Sequence, residues 1–171
     1  MPPQGVRRHQ HRDDLTGEHK SGDMGQIIFA CVFAAVWVSD AFFLQYSTLL
    51  NQYVPFLVRL PISITLLALA AYLSLSGVRT VFGEKRSTPA VIRKGVFGMV
   101  RHPIYLGEIL LYLGLFARHM SLAALGVLIA VAVFLHYISR YEEKLLVERF
   151  GKDYQDYMQS VPMWIPRLRR R

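Results

Sequence analysis

Long blocks of apolar residues with few charges constrain this chain more than any other feature of its sequence. They occupy residues 24–44, 54–75, 103–117 and 122–139. The first two have about the twenty residues that a helix needs to cross the apolar core of a bilayer. The third is shorter, but the tight connection that follows it predicts an antiparallel pair with the fourth. We therefore predict an all-α polytopic membrane protein with about four transmembrane helices.

The lysine and arginine residues of the connecting segments predict the orientation of these helices. Residues 1–23 contain four, 45–53 none, 76–102 six, 118–121 one and 140–171 eight. Because Lys/Arg-rich loops stay in the cytoplasm, both termini and the loop 76–102 are predicted on the cytoplasmic side. The start of the third helix and the segment after the fourth would then meet at the same membrane face.

The chain is predicted to be one membrane domain that follows a tail. Residues 1–23 are polar without apolar periodicity and are predicted to be disordered. Residues 24–171 form the domain, with two N-terminal spans in 24–78 and a motif-rich region at 95–167. The net charge of +8 favours contact with anionic lipid headgroups over nucleic acid, since the basic residues flank apolar spans. The single cysteine, Cys31, excludes an internal disulfide and a cysteine-based metal cluster, and no metal site is predicted.

A cluster of polar and small residues surrounds the predicted start of the third helix. Pro103 suits the first helical position, where its missing N–H costs no hydrogen bond. The free N–H groups of a helix start suit an anion, and Arg101 adds a fixed positive charge. Tyr105 and Glu108 share a helical face, and Gly107 leaves room for a close approach. A plain interfacial helix start, with an arginine at the headgroups, is the alternative interpretation.

A second cluster follows the fourth apolar block. Leucines, a phenylalanine and tyrosines alternate with charges after Arg140, which predicts an amphipathic interfacial helix with a break at Gly151. The adjacent Glu142 and Glu143 point in different directions on a helix, so one could face a site and the other solvent. The alternative is a solvated face with Glu–Lys and Glu–Arg pairs, each worth a few tenths of a kcal/mol.

Together the two clusters resemble the isoprenylcysteine carboxyl methyltransferase and phospholipid methyltransferase superfamily of membrane enzymes. The resemblance lies in four unbroken motifs. These are Arg-His-Pro-x-Tyr-x-Gly at 101–107, Arg-x-Glu-Glu-x-x-Leu at 140–146, Phe-Gly-x-x-Tyr-x-x-Tyr at 150–157 and Val-Pro-x-x-x-Pro at 161–166. The first two apolar blocks resemble the family only in being apolar.

The resemblance implies a cytoplasm-facing pocket for S-adenosylmethionine. Residues at matching motif positions would line it, namely His102, Tyr105, Arg140, Glu142 and Glu143, and Arg101, Pro103 and Gly107 are predicted to complete it. The cofactor's carboxylate suits the helix start, and its ammonium and ribose diol suit a glutamate, with the division between the two glutamates left open. Because the sulfonium is already activated, catalysis needs mainly in-line positioning of the methyl group. An amine acceptor must also lose a proton, so His102 and Glu108 are the predicted catalytic residues.

The predicted function is methyl transfer to a lipophilic acceptor at the cytoplasmic interface, in a prokaryotic inner membrane. An isoprenylcysteine-like carboxylate, a phospholipid amine and a small hydrophobic compound all remain open as acceptors. One alternative is an NADPH-dependent membrane reductase of the sterol-reductase type, which has a similar C-terminal arrangement. The other is a non-catalytic small membrane protein of the same fold. The oligomeric state stays unassigned.

Three further residues stand outside these motifs or at their edge. Asp40 and Arg59 lie near the predicted outer ends of the first two helices, which predicts a structural ion pair. His136, near the predicted cytoplasmic end of the fourth helix, is open to two readings, a site residue or a buried hydrogen-bonded histidine. Trp164, beside a run of arginines, is interpreted as an interface anchor.

Overall fold

The computed structural model describes residues 20–83 and 90–166, which form helices joined by loops and contain no strand. The helices are α1 (Lys20–Val38), α2 (Phe56–Phe82), α3 (Pro103–His119), α4 (Leu122–Phe150) and α5 (Lys152–Ser160), with a π-helical turn at Ser39–Leu44 and 3₁₀ turns at Leu49–Gln52 and Gly95–Gly98. Residues 1–19 of the predicted tail lie outside the described residues, and its last four form the first turn of α1. The all-α prediction is confirmed.

Three helical segments of the described chain are long and apolar enough to cross a membrane. They are Met24–Leu44, Phe56–Phe82 and Leu122–Phe150. The helix α3 has 17 residues, which at 1.5 Å per residue gives a length of about 25 Å. That is shorter than the bilayer's apolar core of about 30 Å. The chain is a polytopic membrane protein in which α3 is the short member of the bundle.

The helix α4 is longer than predicted. It continues without interruption from Leu122 to Phe150, so residues 140–150 are not a separate interfacial helix. No proline or glycine interrupts this stretch, and its charged side chains support helix as well as its apolar ones do. The predicted break at Gly151 is where α4 ends. Arg140, Glu142 and Glu143 are therefore held rigidly on the same helix as the membrane-spanning residues.

Small residues bring α2 and α3 into close antiparallel contact. A Cβ atom added at Gly107 would lie 2.3 Å from the hydroxyl oxygen of Ser74 and 3.0 Å from the carbonyl oxygen of Ala70. Such small-residue contacts let helix backbones approach closely in a membrane. Because Gly107 faces α2, Tyr105 two residues earlier lies on roughly the opposite side of α3. The α2–α3 contact thus turns the Tyr105 side of α3 toward α4.

The helix α1 covers the face that α3 and α4 share. Phe33 packs on Tyr112 of α3 with a ring-centroid distance of 4.4 Å, and Phe29 packs on Phe134 of α4 at 5.0 Å. Leu135 of α4 joins Phe33 and Tyr112 in the buried core. The three helices therefore enclose one apolar core, and α2 lies against it from the α3 side.

At one end of the bundle, below called the turn end, a buried carboxylate ties two connections together. Asp40 accepts hydrogen bonds from the hydroxyls of Ser47 at 2.6 Å and Ser121 at 2.5 Å. The predicted ion pair between Asp40 and Arg59 is wrong. Arg59 donates instead to backbone carbonyls, including that of Arg118 at 2.9 Å. The π-helical turn at the end of α1 aims Asp40 at nearby hydroxyls, which sequence spacing does not reveal.

Candidate active site

At the other end of the bundle, below called the α5 end, the segment after α4 folds back onto the start of α3. Gly151 makes the sharp turn with φ of +55°, a conformation that glycine adopts at little cost. The helix α5 then buries Tyr154 and Tyr157 against the end of α4. Burial raises the pKa of both phenols, so both remain neutral and able to donate. The Tyr157 hydroxyl donates to the carbonyl of Phe97 at 2.7 Å.

Arg101 joins this returning segment to α3 and α4. Its side chain is 9% exposed, and its Nε donates to Oε1 of Glu143 at 2.7 Å. Its Nη1 donates to the carbonyls of Met158 at 2.9 Å and Val161 at 2.7 Å. These two carbonyls belong to the end of α5 and the residue after it, where helices leave carbonyl groups without intrahelical partners. Arg101 therefore binds three protein groups: the Glu143 carboxylate and two backbone carbonyls.

Glu143 is buried beneath the same cluster. Its side chain is 3% exposed, and Oε1 lies 2.7 Å from Arg101 Nε and 3.2 Å from His102 Nε2. Its other oxygen, Oε2, is sealed, that is, fully buried from solvent, and it has no hydrogen-bond partner among the described residues. The Ser139 hydroxyl, one turn earlier on α4, is sealed in the same way. One oxygen of Glu143 thus contacts both Arg101 and His102.

Glu142 is the more accessible of the two glutamates. Its side chain is 16% exposed, and Oε2 lies 3.8 Å from His102 Nδ1. The Tyr105 hydroxyl donates to Oε1 at 2.5 Å. The His102 and Tyr105 rings are stacked, with 5.7 Å between centroids and 3° between planes. The residue before α3, a tyrosine in its first turn and one carboxylate from α4 therefore form a single surface.

Trp164 and His136 lie beside this surface, and Arg140 lies one turn after His136 on α4. Arg140 is exposed and forms no hydrogen bond or ion pair within residues 20–83 and 90–166. Trp164 Nε1 donates to His136 Nδ1 at 3.3 Å, and the Trp164 ring lies 5.8 Å from that of His102. His136 is exposed rather than buried. Trp164 is thus placed beside the predicted site rather than apart from it, a position that its motif, Val-Pro-x-x-x-Pro, could have indicated.

Glu108 lies deeper along α3 than the other predicted site residues. It is half-buried, and the Tyr112 hydroxyl donates to its Oε1 at 2.9 Å. It stands six positions after His102, which corresponds to about 9 Å along the helix axis. The structure thus separates the two predicted catalytic residues, with His102 at the α5 end and Glu108 within the apolar part of the bundle.

Two predicted cofactor contacts have a packing role in the structure. Pro103 is buried as the first residue of α3, and Gly107 is buried against α2. Neither presents a group to the surface formed by His102, Tyr105 and Glu142. A glycine motif alone does not reveal whether the close approach is made by a ligand or by a helix, and here a helix makes it.

The geometry brings together groups that fit S-adenosylmethionine. An exposed arginine with no ionic partner among the described residues suits the cofactor's carboxylate. An accessible carboxylate suits its ammonium or its ribose hydroxyls. Aromatic rings at the edge of the surface suit an adenine. Arg140, Glu142 and Trp164 are the residues with these side chains at the α5 end.

Comparisons with known proteins agree with this chemistry. The sequence pattern of the family described as phospholipid methyltransferase matches residues 55–153. Methanethiol S-methyltransferase of Crocosphaera subtropica is 31% identical over 147 residues, which cover 84% of this chain and 48% of that protein. Protein-S-isoprenylcysteine O-methyltransferase of Mus musculus is 32% identical over 88 residues, covering 50% and 31%. The cobalt-zinc-cadmium resistance protein CzcN of Cupriavidus metallidurans is 33% identical over 89 residues, covering 52% and 40%. The chain spans less than half the length of these relatives.

Proposed function

Because the chain belongs to the phospholipid methyltransferase family, we propose that it transfers a methyl group from S-adenosylmethionine to a lipophilic acceptor. The observation that carries this proposal is the surface on which Tyr105 donates to Glu142 and stacks on His102. Its residues come from the start of α3 and the second half of α4. The exposed Arg140 lies one turn after His136, which Trp164 contacts. When bound, the cofactor supplies an activated methyl group on a sulfonium, so the protein's task is to orient it and to exclude water.

The two glutamates have different roles in this proposal. Glu142 faces the cofactor's ammonium or ribose hydroxyls, because part of its carboxylate is accessible. Glu143 is a positioning residue, because Arg101 and His102 occupy one oxygen and the other is sealed. Arg101 is likewise a positioning residue that holds α5 against the site. Arg140 then becomes the cation for the cofactor's carboxylate.

The location of the site follows from the charge pattern. The α5 end is the end reached by the basic segments 76–102 and 140–171. From the positive-inside rule we propose that this end faces the cytoplasm of a prokaryotic cell. A water-soluble cofactor could then enter from the cytoplasm, and a lipophilic acceptor from the bilayer. We treat residues 24–171 as one domain, since α3, α4 and α5 all contribute to the surface.

Binding of S-adenosylmethionine, S-adenosylhomocysteine and NADPH to the detergent-purified protein tests the proposal. We expect calorimetry to show micromolar binding of the two methyl-cofactor forms and none of NADPH. Arg140→Ala and Glu142→Gln should each weaken that binding about tenfold or more, since each loses a charge-assisted hydrogen bond. Lys144→Ala is the matched control, because Lys144 is an exposed cation one turn from Arg140 on the same helix.

The outcomes separate the competing functions. Loss of binding in the Arg140 and Glu142 variants, with the Lys144 variant unchanged, supports the assignment. NADPH binding without binding of either methyl-cofactor form would instead favour the reductase of the sterol-reductase type. If none of the three ligands binds, the chain is better explained as a non-catalytic member of the family.

A further inference from the structure

A carboxylate lies within the apolar part of α3, away from the proposed cofactor surface. Glu108 has the Tyr112 hydroxyl as its hydrogen-bond donor, and no lysine or arginine of the described chain pairs with it. Its Oε2 has no hydrogen-bond partner there, and it is not sealed as Oε2 of Glu143 is. Glu108 therefore has one carboxylate oxygen that is neither hydrogen-bonded within the described chain nor fully buried.

Packing alone does not account for this carboxylate. Tyr112 is 4% exposed and packs on Phe33 in the core of α1, α3 and α4. A phenylalanine there would fill the same space without needing an acceptor. Ionisable groups within a membrane bundle are costly, and they mark proton or substrate sites more often than structural ones. The Glu108–Tyr112 pair has no interhelical hydrogen-bond partner among the described residues, so its polar groups do not join two helices.

His102 is less suited to accept a proton from an acceptor. Both of its ring nitrogens face carboxylates, at 3.2 Å from Glu143 and 3.8 Å from Glu142. Its ring is covered by Tyr105 on one side and approached by Trp164. It is also only 7% exposed. Of the two residues for which the sequence predicts a catalytic role, Glu108 is the one with an oxygen that no described group occupies.

We propose that Glu108 is the proton acceptor of the reaction, and that it restricts the methyl acceptor to a thiol or an amine. This inference rests on the proposed methyl transfer. A thiol gives its proton to Glu108 as its sulfur forms the bond to the methyl carbon. An ammonium group gives its proton to Glu108 first, and its nitrogen then forms that bond. In both cases the methyl–sulfonium bond breaks, and its electron pair stays on the cofactor's sulfur, which leaves as S-adenosylhomocysteine.

A carboxylate acceptor does not suit this site. It has no proton to lose, so Glu108 would have no part in the reaction. It would also place a second negative charge near Glu108 in surroundings of low dielectric, where like charges repel strongly. Glu108 therefore favours acceptors that carry a proton to lose and disfavours negatively charged ones, whatever their apolar portion is.

The test uses three probes with the same apolar chain: hexanethiol, hexylamine and hexanoate. Turnover is measured with S-adenosylmethionine, and binding with the protein loaded with S-adenosylhomocysteine. Glu108→Gln keeps an oxygen that can accept from Tyr112 but cannot take a proton. Glu108→Asp keeps the carboxylate, and Tyr112→Phe removes only the hydroxyl. Binding of S-adenosylhomocysteine by each variant shows that it is folded.

We expect the wild-type protein to methylate the thiol or the amine and to leave hexanoate unmodified. The probe that is methylated faster identifies the chemical class of the acceptor. Glu108→Gln should lower that turnover by about 10²- to 10⁴-fold. Its remaining turnover should rise with pH as free thiolate or amine forms in solution. Glu108→Asp should retain part of the activity. Glu108→Gln should also bind hexanoate more tightly than wild type, because the repelling charge is gone.

Several results would overturn the inference without touching the proposed function. One is faster methylation of hexanoate than of the other two probes, and another is wild-type turnover by Glu108→Gln. If the protein binds S-adenosylhomocysteine but methylates none of the probes, the affinity for hexanoate becomes the test. Equal hexanoate affinity in wild type and Glu108→Gln then refutes the proposed role of Glu108. Failure to bind either cofactor form would instead refute the proposed function itself.

Discussion

Replacing Arg101 by methionine tests whether this arginine serves the protein or a ligand. Methionine has a similar length but offers no donor, so the carbonyls of Met158 and Val161 lose their hydrogen bonds. Glu143, at 3% exposure, would keep only His102 as a partner. Removing one member of a buried charge pair typically costs about 3–5 kcal/mol. Because 1.4 kcal/mol corresponds to a factor of ten, this cost predicts about 10²- to 10⁴-fold more frequent opening of α5.

Hydrogen exchange of the α5 amides in detergent measures this opening directly. Arg93→Met is the matched control, because Arg93 also joins the loop before α3 to α5, through Asp153, with side chains that are 45% and 60% exposed. An exposed pair of this kind is worth about 0.2–1 kcal/mol. The control should therefore lose less than about tenfold in protection. Glu143→Gln alone and combined with Arg101→Met completes a double-mutant cycle, with an expected coupling of about 0.5–3 kcal/mol.

One result would refute this reasoning. If Arg101→Met leaves the protection of α5 unchanged but abolishes binding of S-adenosylmethionine, Arg101 contacts the cofactor, as its place in the motif predicts. The hydrogen bonds to Met158 and Val161 would then contribute little to stability.

Three further predictions concern stability. Gly107→Ala should lower the free energy of unfolding by about 1–3 kcal/mol through overpacking against α2. Gly126→Ala is the control and should not lower it, because a Cβ there meets nothing within 4 Å. Equal thermal midpoints of the two variants would contradict this prediction. Ser121→Ala should cost about 1–3 kcal/mol in thermal unfolding, because it removes the cap on α4 and a donor to the buried carboxylate; an unchanged midpoint would mean that water replaces both. Tyr157→Phe should cost about 0.5–1.5 kcal/mol by loss of one hydrogen bond, seen as faster exchange in α5; unchanged exchange would show that this bond does not hold α5.

Most of the helical architecture could be predicted from the sequence, because apolar length is a local property. Residue 122 begins the last long helix and Gly151 ends it, as expected from the turn before it and the glycine after it. The prediction failed between these points, where a change from apolar to charged residues suggested a boundary. A helix ends where its backbone is interrupted, and a change of polarity does not interrupt it.

The sequence predicted which side chains meet at the α5 end better than it predicted what each of them contacts. The antiparallel α3–α4 pair brings the Arg-His-Pro motif to the glutamate pair, and the structure places His102 between both carboxylates. The role of Arg101 depends on carbonyls that lie 57 and 60 residues away along the chain. Backbone carbonyls have no signature in the sequence, since every residue has one. For the same reason the partners of Arg59 could not be inferred.

The bonds from Arg101 to the end of α5 also set an order of events during synthesis. At about 5–20 residues per second, the ribosome needs roughly 3–12 s to add the 60 residues that separate Arg101 from Val161. An arginine without these carbonyls is too costly to bury, so in a nascent chain it should remain in water beside the membrane. We expect chains arrested before Met158 emerges to insert their helices but not to retain S-adenosylhomocysteine. Membrane insertion and the docking of α5 onto Arg101 would thus be separate steps in the synthesis of this protein.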